Sequence, residues 1–278
     1  MAVVRTLTAA EAGQAVDWAA AEGWNPGLQD LPCFLAQDAE PFLGAVRDGE
    51  LLSAISATRY GDGFGFIGFY IARPDARGQG FGIAVWRAAM DRLARRVIGL
   101  DGVVAQQANY RRSGFALAWN NIRHGGKVAA PPPEDRAVVP AAEVAFGRIE
   151  ALDRAVFPVA RPAFLRAWLS APGHVARALV RDGEAVGFGV IRPCGTGHKI
   201  GPLVARSRAE AEALLGSLLR AVPPGPVFLD LPAPNAEAAA MARGLGLAPV
   251  FETARMYAGP APALDPARIF GITTFELG

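Results

Sequence analysis

Apolar residues recur along the first 128 positions with two periods, and the switches between those periods predict a series of strands and helices. Val3 to Leu7 alternates as a strand, and Thr8 with Glu11 has the spacing of a capping box opening a helix that ends near Gly23. Gly23-Trp24-Asn25-Pro26-Gly27 reads as a turn. A short helix around Pro32 to Gln37 then leads into strands at Phe42 to Val46, Leu51 to Tyr60 and Phe64 to Ala72. From Gly80 the period becomes helical: Phe81, Val85, Ala89, Leu93 and Val97 share one face, and Arg87, Asp91 and Arg95 another. The apolar face is expected to pack on the sheet. Ile98 to Ala105 and Phe115 to Ile122 complete this series as strands, and Thr253 to Tyr257 alternates as a strand far downstream.

The series occurs twice. Val46-Arg47-Asp48-Gly49-Glu50 returns unchanged as Val180-Arg181-Asp182-Gly183-Glu184, each an Asp-Gly turn between apolar runs. At the same offset Gly61-Asp62-Gly63 meets Gly195-Thr196-Gly197, and with one deletion Ile67-Gly68-Phe69 meets Ile200-Gly201-Pro202. Leu100-Asp101 and Gly114-Phe115 then match Leu229-Asp230 and Gly246-Leu247. Two copies of one fold account for this. Pro131-Pro132-Pro133 and the charges after it favour an extended, solvated linker, which divides the chain into domains at 1–128 and 140–278 with a linker at 129–139.

Between the strand ending at Ala72 and the helix lies Arg77-Gly78-Gln79-Gly80-Phe81-Gly82. Alternating glycines let several backbone N–H groups turn toward one point at a helix N-terminus, where unpaired donors and the helix dipole favour an anion. A diphosphate is the anion that such a cradle suits, and an ordinary glycine-rich turn is the competing reading. A Walker loop would end in Gly-Lys-Ser/Thr, whereas Ile83 and Ala84 follow Gly82. A dinucleotide fingerprint would place a small residue where Ile83 stands. The second copy reads Arg206-Ser207-Arg208 at this point, with no glycine, so one anion site per chain is expected, in the first copy.

Composition narrows the field further. With 28 basic and 26 acidic residues the net charge is +2, which gives no sign of a nucleic-acid partner. Arg92, Arg95 and Arg96 lack interleaved aromatics and read as a solvated helix face. Cys33 and Cys194 are far apart, and His124, His174 and His198 match no zinc spacing, so neither a disulfide framework nor a metal is expected. No run of about 18 apolar residues suggests a membrane span, and the expected location is the cytoplasm.

The segment from Tyr70 to Gly82, with its strand, its Arg73-Pro74 lead-in and its helix, resembles the acyl-CoA signature of GNAT N-acetyltransferases. The whole chain resembles a tandem subgroup whose second domain lacks the coenzyme loop. The resemblance implies a mixed α/β fold, an α+β mixed sheet, in two tandem GNAT-like domains, with acetyl-CoA as co-substrate. It assigns the coenzyme diphosphate to Arg77, Gly78, Gln79, Gly80, Phe81 and Gly82, and the pantetheine arm to Tyr70, Ile71 and Ala72. Tyr110, four residues before Gly114-Phe115, is similar to the family's tyrosine near the coenzyme sulfur and is the expected acid; a half-buried tyrosine bonded to a carbonyl is the alternative. Asn109 is expected to bond the same arm.

The base and the acceptor are less well marked. Asp101 has a counterpart in Asp230, which argues for a structural role in both halves, and no base is assigned. In the family the segment between the first two helices borders the acceptor cleft, which points to Trp24 and Asn25 as substrate contacts and to Asp30 as the partner of a cationic amine. A turn with a core tryptophan and a capping aspartate fits the same residues equally well. Tyr60 is a weaker candidate. Arg255 and Glu276 are further candidates for an acceptor cleft between the domains, although surface or interdomain ion pairing is the stronger reading for both. The expected activity is acetyl transfer to a primary amine of a small molecule by direct attack in a ternary complex. The alternatives are a protein or peptide amine as acceptor, and a non-catalytic acyl-CoA sensor.

Overall fold

Thr8 and Glu11 form the capping box that their spacing implies: the Glu11 amide donates to Thr8 Oγ1 at 3.3 Å and the Thr8 amide donates to Glu11 Oε2 at 2.9 Å. The computed structural model, which describes residues 2–278, continues from there as two similar series. The first is β1 (Val3–Thr6), α1 (Ala9–Ala21), α2 (Asp30–Gln37), β2 (Phe42–Arg47), β3 (Glu50–Tyr60), β4 (Phe64–Ala72), α3 (Phe81–Arg92), β5 (Val97–Val103), α4 (Gln107–Arg112) and β6 (Phe115–Lys127). The second is β7 (Val138–Pro140), α5 (Phe146–Arg154), α6 (Pro162–Ser170), β8 (Val175–Arg181), β9 (Glu184–Pro193), β10 (His198–Val204), α7 (Arg208–Arg220), β11 (Pro226–Pro232), α8 (Ala236–Gly244), β12 (Ala248–Ala258) and a short β13 (Ile269–Gly271).

Two elements differ from their sequence reading. α3 stops at Arg92, because Arg95 adopts φ 69° and turns the chain, so Val97 opens β5 instead of extending the helical stripe. β6 runs five residues past Ile122, to Lys127. That extra length has a partner in the second half.

All the strands form one mixed sheet, in the order β1-β2-β3-β4-β5-β12-β6-β11-β10-β9-β8-β7, with β13 against β10. The order reads the same from both ends when each strand is exchanged for its repeat counterpart. The final long strands have crossed over: β12 of the second half pairs with β5 of the first, and β6 of the first pairs with β11 of the second. Two buried ion pairs fasten the exchange. Arg255 on β12 grips Asp101 on β5 at 2.6 and 2.8 Å, and Arg123 on β6 grips Asp230 on β11 at 2.7 and 2.9 Å. Asp101 and Asp230 therefore do the same structural work in both halves.

Apolar residues fill both faces of the sheet. Ala12, Ala15, Ala19 and Phe34 of α1 and α2 pack with Phe66 and Phe69 of β4 and with Phe164 and Trp168 of α6, so this core joins the halves. Val85, Trp86 and Ala89 of α3 cover Ile55, Ile67 and Leu100 from another side. The proline-rich stretch is packed as well as extended: Arg220 of α7 donates to the carbonyls of Pro131 and Pro132.

Candidate active site

The site begins with a bulge in β4. Ser56 faces Gly68 while Ala54 faces Ile71, so β4 carries one residue more than β3, and Phe69 takes φ 46° to fit. On its other side β4 pairs in parallel with β5 only from Phe64↔Val97 to Ile67↔Leu100. Past that point the two strands part. The edge from Gly68 to Ala72 thus faces a gap.

The gap leads to the N-terminus of α3. Gly78 and Gly80 adopt φ 74° and 87°, in the left-handed region where a side chain is strained, although a Cβ at either would meet no atom within 4 Å. Their role is backbone direction, since there is room for a side chain. The turn is braced from within by Gln79 Nε2 donating to Asp75 O at 2.7 Å and Arg77 Nε donating to Ala72 O at 3.1 Å. No side chain caps α3 and its first turn carries no acidic residue, which leaves its leading amides and the helix dipole free for an anion. At Gly82 a Cβ would lie 3.0 Å from Tyr70 Oη, so glycine there admits the tyrosine. These residues fit the diphosphate of an acyl-coenzyme.

The gap opens into a cavity bounded by Gly68, Tyr70, Trp86, Tyr110, Trp24 and Glu276, with Phe251 and Phe275 of the second half completing its wall. A groove past Ile83, Asn109 and Arg112 shares Tyr70, Trp86 and Tyr110 with it, so the two are continuous. On the far side Phe251 also borders an outer hollow formed with Gly23, Asn25, Arg123 and Thr196. The cavity therefore continues into the groove past Ile83, and Phe251 stands between it and the outer hollow.

Tyr110 is 7 % exposed and its ring lies flat on β5, where a Cβ at Gly102 would come within 2.1 Å of its Cε2. Burial, and then the neighbouring Tyr70, push its hydroxyl up to about 12, so it holds its proton throughout the neutral range. Glu276 is 5 % exposed. Burial raises its pKa against the pull of Lys199 and Arg123.

The structure gathers some of the residues singled out in the sequence and disperses others. Tyr70, Tyr110 and Trp24 meet at the cavity, and Asn109 lines the adjoining groove with its amide engaged by Gln106 and Arg112. Ile71 is buried in the core and Ala72 receives Arg77. Arg77 pairs with Glu22, and the Phe81 ring lies under Arg47. Asp30 is not available to a cationic amine: it is 2 % exposed, accepts from Arg192 at 2.8 and 3.2 Å, and takes the Gly27 amide at 3.0 Å. Tyr60 is likewise inside the protein, donating to Leu277 O at 2.9 Å. Asn25 binds across the halves through Cys194 Sγ and the Thr196 backbone, at the rim of the outer hollow. Arg255 is an interdomain ion-pair partner, as its chemistry suggests, whereas Glu276 reaches the cavity.

Sequence reasoning passed over Phe251, Phe275 and Gly102. Only Gly102 left a signal, because its counterpart in the repeat is Leu231, whose side chain would exclude a ring at that place.

The corresponding opening in the second half is filled. β10 repeats the bulge between Ile200 and Leu203 and pairs with β11 only from His198 to Ile200. Into the fork beyond them comes β13, with Leu203 opposite Gly271, and the Ile272 amide donates to Asp230 O at 2.9 Å. α7 starts at a Ser207 cap, and Glu210 in its first turn receives the Arg206 amide at 2.8 Å. A carboxylate stands where an anion would bind. Among the described residues no cluster of three or more His, Cys, Asp or Glu could hold a metal ion, and no helix is long and apolar enough to cross a membrane.

Comparison with known proteins agrees with both halves of this picture. The sequence pattern of the GNAT acetyltransferase family matches residues 9–115, and that of a GNAT acetyltransferase domain matches residues 149–271. A holothin acyltransferase of Pseudoalteromonas sp. (strain SANK 73390) is 30% identical over 268 residues, 94% of this chain and 90% of that protein. Among solved structures, a putative acetyltransferase from Pyrococcus horikoshii superimposes with a TM-score of 0.84 at 20% identity, covering 100% of this chain and 96% of the other. A tandem GNAT protein from the clavulanic acid biosynthesis pathway superimposes with a TM-score of 0.65 at 14% identity, covering 94% and 100%. These two share the fold.

Proposed function

The chain belongs to the GNAT acyltransferases, and we propose that it moves an acetyl group from acetyl-CoA to a primary amine of a small molecule, by direct attack while both are bound. The observation that carries this reading is the continuous path from the free N-terminus of α3, along the open edge of β4, to Tyr110 in a cavity walled by aromatic rings. Bound there, the coenzyme would supply an activated thioester. Gly78 to Gly82 would hold its diphosphate through backbone amides, and the Gly68 to Ala72 edge would pair with the amides of its arm. Tyr110, protonated at neutral pH, would give a proton to the departing thiolate.

The acceptor is inferred to enter past Phe251, the residue that the cavity shares with the outer hollow. Aromatic walls and a narrow interior suit a small amine better than a polypeptide chain. A relative named for acylating holothin supports this reading, and holothin belongs in any acceptor panel.

Titration calorimetry with acetyl-CoA is the first test. The wild type should bind, and Gly80→Asp should weaken binding at least tenfold, because it places a side chain at φ 87° and a negative charge beside the diphosphate. No binding by the wild type, or no change in the variant, would sink the reading. Thiol release is then followed over panels of small amines and of peptides. Release only with peptides would move the acceptor to protein. Binding without transfer to any acceptor would make the chain a sensor.

A further inference from the structure

The last ten described residues take an unusual course. After β13 the chain passes so close to Gly201 that a Cβ there would meet Ile272 O at 2.2 Å, and Thr273 Oγ1 then accepts from Arg161 Nη2 at 2.8 Å. It next crosses into the first half, where a Cβ at Gly68 would meet Glu276 O at 2.2 Å. The same segment thus touches the bulge glycine of each repeat, Gly201 and then Gly68. Around Glu276 the backbone is fixed on both sides: the Glu276 and Leu277 amides donate to Thr274 Oγ1 at 3.1 and 2.9 Å, and Tyr60 donates to Leu277 O at 2.9 Å.

Glu276, so positioned, lines the cavity that holds Tyr110. It is almost wholly buried, and the charges that act on its carboxylate do so without a hydrogen bond among the described residues. The cations facing it are committed elsewhere. Lys199 of β10 donates to Trp24 O at 3.1 Å, and Arg123 of β6 donates to Asp230 and to Trp24 O. Asp30 of α2 and Asp230 of β11 are the acidic groups on its other sides, and burial with these two keeps its proton affinity above that of an ordinary carboxylate. A buried carboxylate with open lone pairs is unfavourable unless a ligand supplies the donor.

We propose that Glu276 is the catalytic base of the transfer, its carboxylate removing a proton from the acceptor ammonium in the cavity. The proposal rests on the acyl-transfer reading above. The neutral amine nitrogen bonds to the acyl carbon and the C–S bond breaks. Tyr110 gives its proton to the sulfur and is reprotonated by the second proton that nitrogen sheds. The products are an amide, a thiol and one proton on Glu276, which passes to solvent. The half without a coenzyme opening thereby completes the site of the other half.

The test uses the full chain, acetyl-CoA, and the alkylamine that the wild type acylates fastest. Glu276→Gln should lower kcat/KM by about 10² to 10⁴ and abolish the acid limb of the pH profile, while the acetyl-CoA Kd stays within about twofold. Glu276→Asp should restore part of the rate and the limb. A glutamine variant that keeps its rate or its limb overturns the proposal. So does a parallel loss of coenzyme affinity, which would mark a purely structural residue. A wild-type profile with no acid limb at any pH where the chain stays folded overturns it without any variant, since no base would then titrate. If the wild type acylates nothing, the transfer reading itself has failed.

Discussion

Replacing Lys199 by methionine should stabilise the chain at neutral pH, and the gain should fade as the pH rises. Lys199 is 3 % exposed on β10, and its one bond is to Trp24 O at 3.1 Å. Burial, and then Arg123, lower its pKa from 10.5 to about 8, with Glu276 and Asp230 pulling the other way. A lowered folded pKa means that the unfolded chain binds the proton more tightly. Below about pH 8 both states are protonated and the fold carries the whole penalty; between about 8 and 10.5 the folded state sheds its proton first and the penalty declines. The gap from 10.5 to about 8, at about 1.4 kcal/mol per pH unit, gives roughly 3 kcal/mol. Losing the bond to Trp24 O costs about 1 kcal/mol, softened because Arg123 Nη1 still donates to that carbonyl at 2.8 Å. The net gain at pH 7 is about 2 kcal/mol, or about 3 °C in Tm for 278 residues. Urea unfolding of both proteins at pH 7 and at about pH 9.5 measures it, with almost no difference expected at the higher pH. A gain that does not shrink, or a loss at pH 7, would refute the reasoning.

Two further substitutions probe the site and the sheet. Gly102→Ala places a Cβ about where Tyr110 Cε2 now lies, 2.1 Å away, so the ring must leave its position. A fall in kcat of about 10² is expected from the misplaced acid, read by thiol release, and an unchanged rate would show that Tyr110 gives no proton. Asp230→Asn leaves the Arg123 guanidinium, 3 % exposed, without its counter-charge and should cost about 3 to 5 kcal/mol in chemical denaturation. Adding Arg123→Met should recover much of that loss, and a double variant no more stable than the single would show that the pair is not what matters.

The sequence carried the repeat, the Thr8 box, the strands of the first half and the glycine turn before α3, because each is a local pattern. It did not show which strands are neighbours. Alternation places Met256 and Tyr257 on opposite faces of a strand, but nothing in it says that β12 lies against β5. For the same reason Asp30 and Tyr60 were misplaced. An aspartate just after a turn looks alike in sequence whether it faces a ligand or Arg192, 162 residues away. Tyr110 was legible because it precedes the Gly114 turn. Its seat on Gly102 required the comparison with Leu231. Glu276 lies in a segment without periodicity, and only the folded path past Gly68 brings it to the cavity.

The crossed strands constrain how the chain reaches its native state. β5 waits for a neighbour that is made far later, since Asp101 and its partner Arg255 are 154 residues apart. While the second half is still being synthesised, the β5 edge and the whole of β6 have no partner, and exposed edges of this kind invite pairing with other chains. Closing so long a loop slows folding more than it weakens the final state. The first half is therefore not expected to fold and work when expressed alone. The second half has no glycine loop and is still not dispensable, because β5 and β6 of the first half take their partners from it and it carries the segment bearing Glu276.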